Sequence, residues 1–299
     1  MDKARREILP KLPPFYRERL EQCTFCGLCE IRFRAEKPVM LYYCDRTCFL
    51  SVHGGETTMR AEAVIAAARD LPVLVSAFCK ASVYAHEQDI RAGFLTICGG
   101  HRIGLCGKAV VSGEQILNID YFSGINIRIA REFIGSANRC MEHICTKNRI
   151  YNSVLISPPG FGKTTILRDI ARQLSARCKV VIVDERSELA AFYAGVPQFD
   201  VGEQTDVLDG FPKAAGISHA LRSLSPDVII TDEIGTEEDI KAVSTLLRGG
   251  CKIITSMHGY SIEEALAKKN KLMELFETAV LLDKQNGIPG VAQCRKLWG

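Results

Sequence analysis

The 299-residue chain lacks a long uninterrupted apolar run. Its most apolar stretch covers residues 61–83 and is interrupted by Arg69, Asp70 and Lys80. A membrane-spanning helix needs about 20 predominantly apolar residues, so none is expected here. Residues 1–11 are rich in charge and hold no apolar segment of the kind that a secretory signal requires. We therefore expect a soluble, cytoplasmic protein, which would reach a membrane through protein partners.

The chain also lacks a strong charge of either sign. Its 38 Lys and Arg residues and 35 Asp and Glu residues give a formal net charge of +3. A balanced total can hide a basic stripe, but neither this charge nor any interleaving of basic and aromatic residues favours nucleic acid as a partner. The composition, 47% apolar and 24% charged, is typical of a soluble globular protein. The length suffices for two ordinary domains.

The second half of the sequence has the pattern of an α/β domain. Continuous apolar runs, typical of parallel strands buried on both faces, occur at residues 154–156, 180–183, 228–230 and 253–254. Helical spacing alternates with them and predicts helices over residues 164–176, 240–247 and 261–276. The last of these opens with Ser261 and carries Glu264 three residues later, which is a capping-box pattern.

The first half has a more mixed pattern, typical of a smaller α+β domain. Short strand-like pieces occur at residues 39–43, 95–97, 108–111 and 125–129. Helices are predicted near residues 60–69 and 82–92. The predicted organisation is therefore an N-terminal α+β domain over residues 1–130, a joining segment over 131–149 and an α/β domain with a parallel sheet over 150–299.

A glycine-containing loop follows the first predicted strand of the larger domain and opens its first helix. It consists of Ser157, Pro158, Pro159, Gly160, Phe161, Gly162, Lys163, Thr164 and Thr165. Its glycines let the backbone curl so that N–H groups converge on phosphate oxygens, and the helix N-terminus adds a positive dipole end. In such a loop Lys163 reaches the β and γ phosphates, and Thr164 offers a hydroxyl to Mg²⁺. A merely structural glycine turn does not need Lys-Thr-Thr at the helix start, so the loop predicts bound ATP with Mg²⁺.

A second strand, at residues 228–230, leads to two carboxylates, Asp232 and Glu233. The carboxyl ends of strands are where α/β sheets bind ligands. We expect Asp232 to hold Mg²⁺ through water and Glu233 to act as the general base for the attacking water. An apolar run ending in two acids often just ends a strand, but its place after Lys163 in the same predicted sheet favours the catalytic interpretation.

Two further strand ends carry polar side chains. Glu185 is a candidate to position water or Mg²⁺, and Arg186 to meet phosphate; the alternative is a charged strand end in solvent. His258 is a candidate sensor of the γ-phosphate, and the alternative is a structural histidine. The order of the four strands favours the sensor.

In this order the four motifs resemble those of the secretion-type branch of the P-loop ATPases. The resemblance becomes closer to the stage III sporulation protein AA family, over residues 30–290, in segments 97–104, 125–132, 184–188, 195–198, 205–210, 225–227 and 232–235. It implies a C-terminal RecA-like P-loop domain in an ATPase of endospore-forming bacteria. It further implies a mother-cell location, a homo-hexameric ring, and partners among the other products of the stage III sporulation A operon, which help build a channel to the forespore.

The chain departs from these patterns at three positions. Ser157 replaces the first glycine of the phosphate-loop consensus, and Phe161 occupies a loop tip where a small residue is usual. Gln204 stands where we expect the family to have Arg, which argues against a phosphate or inter-subunit role for that position.

Ring ATPases often complete their site with arginines from the smaller domain or from a neighbouring subunit. The candidates here are Arg128, Arg131 and Arg222. For each of them the alternative is ordinary ion pairing at the surface.

Thirteen cysteines are many for a chain with no secretory signal, and we expect them to remain thiols. Eight are dispersed, as small buried apolar residues are, and five are clustered: Cys23, Cys26, Cys29, Cys44 and Cys48. The first three resemble the start of an iron–sulfur run, but the fourth cysteine is not at the required spacing. One remaining alternative is a zinc knuckle of four thiolates, from Cys23, Cys26, Cys44 and Cys48. The other is that the first three cysteines lie on one face of a buried helix.

Three functions are consistent with these features. The first is an ATPase that drives assembly or operation of a transport channel. The second is a nucleotide-controlled scaffold with little turnover, and the third is a nucleic-acid-dependent ATPase. The presence of Glu233 beside Asp232 favours the enzyme, because a pure switch does not need a base.

Overall fold

Each half of the chain builds its own hydrophobic core in the computed structural model, which describes residues 2–79, 93–113, 115–268, 270–285 and 288–297. The chain divides into two units, Met1–Arg131 and Glu132–Gly299. The helix predicted at residues 82–92 lies outside the described residues. Within the described part of the chain, no helix has both the length and the apolar character needed to cross a bilayer.

The first unit is built on an antiparallel sheet with strand order β5-β4-β3-β1-β9-β8-β7. Its elements are α1 (Lys3–Ile8), α2 (Pro14–Leu20), β1 (Leu28–Arg34), β2 (Lys37–Pro38), β3 (Met40–Tyr43), β4 (Thr47–Leu50), β5 (Glu56–Thr57), β6 (Ile65–Ala66), α3 (Asp70–Phe78), β7 (Phe94–Ile97), β8 (His101–Ser112) and β9 (Gln115–Arg128). Strands β2 and β6 form a separate antiparallel pair. Short 3₁₀ turns lie at Leu9–Lys11 and Arg60–Glu62.

The helix predicted near residues 60–69 is wrong. The structure has a 3₁₀ turn and strand β6 there, and helix α3 begins only at Asp70. The burial pattern gives the reason, because Val64 and Ala66 are buried whereas Ile65 between them is 49% exposed. That alternation has the period of a strand rather than of a helix.

The second unit is built on a mixed sheet with strand order β12-β11-β13-β14-β10-β15-β16, in which only β16 runs antiparallel to its neighbour among the described strands. Its elements are α4 (Asn138–Ile144), β10 (Ser153–Ser157), α5 (Lys163–Leu174), β11 (Val180–Asp184), β12 (Thr205–Asp209), α6 (Lys213–Ser223), β13 (Val228–Thr231), α7 (Glu237–Arg248), β14 (Lys252–His258), α8 (Ile262–Lys268), α9 (Asn270–Met273), β15 (Thr278–Gln285) and β16 (Ile288–Lys296). The four apolar runs predicted as parallel strands lie in β10, β11, β13 and β14, and that prediction is confirmed.

Both faces of this sheet are covered, which explains why its strands are apolar throughout. Ile166 and Ile170 of α5 pack with α4 on one face. Ile217 of α6 and Val243 of α7 pack on the other face. Because neighbouring strands are parallel, the residues that follow β10, β11, β13 and β14 come together at one edge of the sheet.

The segment predicted to join the two domains contributes to the second core. Ala137, Cys140 and Ile144 in and beside α4 are fully buried there. Their spacing of three and four residues is that of a helix face, but charged residues between them make the pattern hard to see in the sequence. The structure therefore places residues 132–149 in the second unit.

The helix predicted over residues 261–276 is divided into α8 and α9. Half of its predicted capping box is present: the Glu264 N–H donates to the Ser261 hydroxyl over 3.0 Å. The Glu264 carboxylate accepts from the N–H of Tyr260 over 3.0 Å, one residue before the N–H of Ser261 that the box requires. The first turn of α8 is thus fixed by its own side chains.

The clustered cysteines do not lie on one helix, so that alternative is wrong. Cys23 follows α2, Cys26 lies in a turn, Cys29 is in β1, Cys44 follows β3 and Cys48 is in β4. Among the described residues, no group of three or more His, Cys, Asp or Glu side chains is arranged to hold a metal ion. The structure therefore gives no support to the zinc or iron–sulfur alternatives.

Candidate functional site

The phosphate-loop motif lies between β10 and α5. Ser157, the last residue of β10, is fully buried, and helix α5 begins at Lys163. Gly160 and Gly162 have φ values of 76° and 84°, a left-handed conformation that favours glycine. A Cβ atom on Gly160 would meet no atom within 4 Å, so the backbone conformation rather than crowding requires glycine there.

The amino end of α5 has the features of an anion site. Its N-cap residue is Gly162, and no side chain caps the first turn in the described part of the chain. The first N–H groups of a helix have no partner within the helix, and they carry the positive end of its dipole. They therefore suit phosphate oxygens, which accept hydrogen bonds and carry negative charge.

Lys163 points back into the loop. Its ammonium donates to the carbonyl oxygens of Ser157 and Pro158 over 3.0 and 3.1 Å, and to Nδ1 of His258 over 3.0 Å. Burial lowers the pKa of Lys163, while the negative charge of Glu233 offsets part of this effect. The ammonium is thus already held by oxygen and nitrogen acceptors where the motif predicts phosphate.

His258 connects this lysine to the predicted base. Its Nε2 lies 2.5 Å from Oε1 of Glu233, and its Nδ1 faces Lys163. An ammonium can only donate hydrogen bonds, so Nδ1 accepts and Nε2 carries the proton that points to Glu233. Strand β14, which ends in His258, is paired with both β10 and β13, and this pairing brings the three side chains into one chain of contacts.

Asp232 and Glu185 share a lysine that the sequence did not reveal. Lys213, the first residue of α6, is buried; its ammonium contacts the Glu185 carboxylate and lies 3.6 Å from Oδ1 of Asp232. Burial opposes its charge, but the hydrogen bond to Glu185 and the Asp232 charge leave the pKa of Lys213 raised. Burial also raises the pKa of Asp232, and Lys213 counteracts this. The sequence signal was its place four residues after the end of β12, at the edge of the sheet that holds the motifs.

Asp232 fits a magnesium ligand. Its Oδ1 atom is buried and makes no hydrogen bond to any of the described residues. Protein sites for Mg²⁺ commonly use one or two carboxylates together with substrate phosphates, so a carboxylate oxygen that makes no hydrogen bond near a phosphate loop suits the ion. Thr164, in the first turn of α5, is the other residue predicted to hold the ion.

The two adjacent acidic residues at the end of β11, Asp184 and Glu185, have different roles. Asp184 is fully buried, and its carboxylate accepts from the N–H groups of Glu188, Leu189 and Ala190, each over 2.9 Å. Burial raises the pKa of Asp184 to about 6, although these hydrogen bonds oppose the rise. Arg168 of α5 holds the same loop from the other side, because its guanidinium donates to the Glu188 and Leu189 carbonyls. Asp184 therefore shapes the loop, and Glu185 faces the site.

A cleft of about 790 Å³ adjoins these groups. It is lined by residues that include Glu185, Arg186, Lys213, Asp232, Glu233 and His258. Most of the predicted catalytic side chains therefore share one cleft at the carboxyl edge of the sheet.

Of the three arginines predicted to complete the site, only Arg222 lies in the second unit, and it is not among the residues that line this cleft. Arg222 is exposed in the last turn of α6, nine residues from Lys213, which corresponds to roughly 14 Å along the helix. Arg128 lies 3.7 Å from Glu30 within the first unit, and Arg131 donates to the Leu28 carbonyl over 2.7 Å. Their roles in catalysis stay predictions.

Gln204, the departure from the family pattern, anchors a loop. Its N–H and its side-chain amide donate to the hydroxyl and carbonyl oxygens of Ser175 over 2.7 and 2.9 Å. It lies just before β12, at the end of the strand opposite to the cleft. A contact with phosphate in the same chain is not supported.

The sequence matches the family described as sporulation stage III, protein AA, over residues 5–295. The chain belongs to this family. Stage III sporulation protein AA of Bacillus subtilis (strain 168) is 35% identical over 277 residues, which cover 91% of this chain and 86% of that protein. The Arabidopsis thaliana protein SEEDLING PLASTID DEVELOPMENT 1 is 32% identical over 156 residues, which are 51% of this chain and 22% of that protein.

Two solved structures share the fold. The pilus retraction motor PilT, solved with bound ADP, has a TM-score of 0.61 at 13% identity and covers 97% of this chain and 83% of its own. The ATPase DotB of Legionella pneumophila has a TM-score of 0.52 at 15% identity and covers 86% and 72%. This likeness confirms the predicted fold, an α/β P-loop domain of RecA-like type preceded by an α+β domain.

Proposed function

We propose that the chain is a Mg²⁺-dependent ATPase whose hydrolysis of ATP drives assembly or operation of a transport channel between mother cell and forespore. The observation that carries the ATPase proposal is the chain of contacts from Lys163 through His258 to Glu233, beside the Asp232 Oδ1 atom, which makes no hydrogen bond to the described residues. A switch that only binds nucleotide does not need a base held in this way.

Phosphate binding is assigned to the loop between β10 and α5. The first-turn N–H groups of α5 and the ammonium of Lys163 supply hydrogen-bond donors and positive charge. Thr164 and Asp232 would hold Mg²⁺, which when bound neutralises part of the negative charge on the phosphates.

The proton of the attacking water is assigned to Glu233. This carboxylate is partly exposed at the cleft, so water can reach it, and the contact with His258 fixes its orientation. His258 also contacts Lys163, so a change in what the ammonium binds is transmitted to the base. This arrangement supports a role for His258 as the sensor of the γ-phosphate.

The cellular setting is proposed from the family. We infer action at the cytoplasmic face of the mother-cell membrane around the forespore, as a homo-hexamer, with other products of the stage III sporulation A operon as partners. The similarity to the B. subtilis stage III sporulation protein supports this setting.

The test is ATP turnover of the full chain, measured against protein concentration and with the candidate membrane partner. Glu233→Gln should lower turnover by about 100-fold or more while nucleotide binding persists. Glu238→Gln is the matched control, because Glu238 lines the same cleft and is exposed; its turnover should stay within about twofold of the parent protein. Unchanged turnover in Glu233→Gln would refute the assignment of the base.

A second measurement separates a motor from a scaffold. Cells that carry Glu233→Gln should fail to sporulate if hydrolysis drives the channel. Normal sporulation of these cells, with Lys163→Ala cells failing, would instead support a scaffold that needs bound nucleotide but not hydrolysis.

A further inference from the structure

Two of the clustered cysteines are in direct contact. The sulfur atoms of Cys29 and Cys44 lie 3.3 Å apart. Cys29 occupies a bulge of β1, where the pairing with β3 shifts between Leu28 and Glu30, and Cys44 follows the last residue of β3. The extra residue in the bulge is what turns Cys29 toward Cys44.

The backbone around both residues is fixed by hydrogen bonds. The Cys44 N–H donates to the Gly27 carbonyl over 2.9 Å, and the Cys29 carbonyl accepts from the Ile129 N–H over 2.8 Å. A disulfide bond brings two sulfurs to about 2 Å, so closure requires a movement of little more than 1 Å, which side-chain rotation can supply. The strands themselves can stay in place.

The surroundings give the two thiols different characters. Cys44 is exposed, and the Arg131 guanidinium lies 3.5 Å from its sulfur, so solvent oxidants can reach it beside a positive charge. Cys29 is less exposed; burial and the contact with Cys44 raise the pKa of Cys29 to about 11. Cys44 is therefore the better attacking sulfur, and Cys29 is placed to resolve the product.

We propose that Cys29 and Cys44 form a reversible redox pair that a hydroperoxide closes and a small thiol reopens. The Cys44 thiolate attacks the peroxide, the O–O bond breaks, and Cys44 becomes a sulfenic acid while water or an alcohol leaves. Cys29 then attacks this sulfur, the S–O bond breaks, and the second water leaves with the Cys29 proton. The two thiols lose two electrons, and the peroxide gains them.

The remaining clustered cysteines differ from Cys29 and Cys44 in their burial or in their sulfur contacts. Cys23 and Cys48 are buried, and burial raises the pKa of both. Cys26 is exposed as Cys44 is, but no sulfur–sulfur contact joins it to another cysteine in the described part of the chain. Exposure alone therefore does not single out Cys44; its neighbours Cys29 and Arg131 do.

The test uses the reduced full-length chain treated with hydrogen peroxide, blocked with a thiol alkylator and examined by peptide mass spectrometry. A Cys29–Cys44 linkage should dominate and should disappear on addition of glutathione. Cys26→Ser, the matched control, should close at a rate within about twofold of the parent protein. Cys29→Ser should stop at a Cys44 sulfenic acid, which a sulfenic-acid reagent labels.

Arg131→Gln gives a second readout. Closure should slow several-fold, because the cation 3.5 Å from the Cys44 sulfur is removed. Linkages that include Cys26 as often as Cys44, an absence of any Cys29–Cys44 linkage, or stoichiometric zinc in protein purified without chelators would each overturn the proposal. None of these measurements depends on ATP hydrolysis, so failure here leaves the proposed function untouched.

Discussion

Lys213 offers the sharpest test of how the site is held together. Its side chain is 8% exposed and lies between the carboxylates of Glu185 and Asp232. Lys213→Met keeps most of the length of the side chain and removes its charge. The buried Asp232 carboxylate then has no cation at 3.6 Å.

The expected cost follows from the burial of the two acids. Removing one partner of a fully buried ion pair costs about 3 to 5 kcal/mol. The Glu185 side chain is 37% exposed, so water screens that contact and it contributes little. We therefore expect a loss of about 2 kcal/mol, which for a unit of this size lowers Tm by roughly 4 to 8 °C.

The loss should depend on pH. Burial raises the pKa of Asp232 and Lys213 lowers it, so the pKa rises further when Lys213 is replaced. Below that pKa the carboxyl is neutral and needs no cation, whereas above it an unpaired charge is buried. The difference in Tm between the variant and the parent protein should therefore be largest near pH 8 and shrink toward pH 5.

Calorimetry across this pH range, with circular dichroism as a second probe, measures the effect. Lys241→Met is the control, because Lys241 is exposed on α7, and its Tm should differ little from the parent value. If Lys213→Met melts within about 1 °C of Lys241→Met at pH 8, Lys213 does not hold the carboxylates as described. A deficit that does not change with pH would refute the part assigned to Asp232.

Two other side chains give independent predictions. Asp184 has a pKa of about 6 in the folded chain, against 3.8 for the ordinary group. Its contribution to stability is therefore present below pH 4 and is lost as the pH rises through 6. The free energy of unfolding should fall by up to about 3 kcal/mol over this range. Asp184→Asn cannot ionise and should flatten this fall in urea titrations between pH 4 and 7; an unchanged slope would contradict it. His258→Ala removes the 2.5 Å partner of Glu233 and should lower kcat by about tenfold or more. The KM for ATP should change only a few-fold, because Lys163 keeps its carbonyl contacts; a rise in KM with kcat unchanged would argue for binding instead of orientation.

The strand-end motifs could be predicted because each is contiguous in sequence. The phosphate loop, the pair at Asp232 and the polar residues at Glu185 and His258 each follow an apolar run. In a parallel sheet the carboxyl ends of the strands lie at one edge, so the motifs come together regardless of the length and conformation of the loops between them. Fold class and most of the cleft follow from that single geometric rule.

Lys213 could not be found in this way, because its burial depends on two strand ends that are distant in sequence. At the end of β11 the sequence analysis named Glu185 as the candidate, but it did not reveal the separate role of Asp184, which points to the opposite side of the strand. The structure shows that the Asp184 carboxylate accepts hydrogen bonds from backbone N–H groups, whereas Glu185 faces the cleft. Strand β1 was missed for a local reason: the bulge at Cys29 interrupts the alternation of Leu28, Ile31 and Phe33.

Under the proposed function, the charges around the cleft indicate whether a neighbouring subunit of a ring would have to contribute a cation to the site. Phosphoryl transfer requires a cation in addition to Lys163 to stabilise the charge of the transition state. Lys213 is held by two acids, and Arg222 lies at the far end of α6. Arg186 lines the cleft and is close enough for its charge to lower the pKa of Asp232. We propose that Arg186 supplies this cation within one chain, in which case a neighbouring subunit would be needed for mechanical work more than for completing the site.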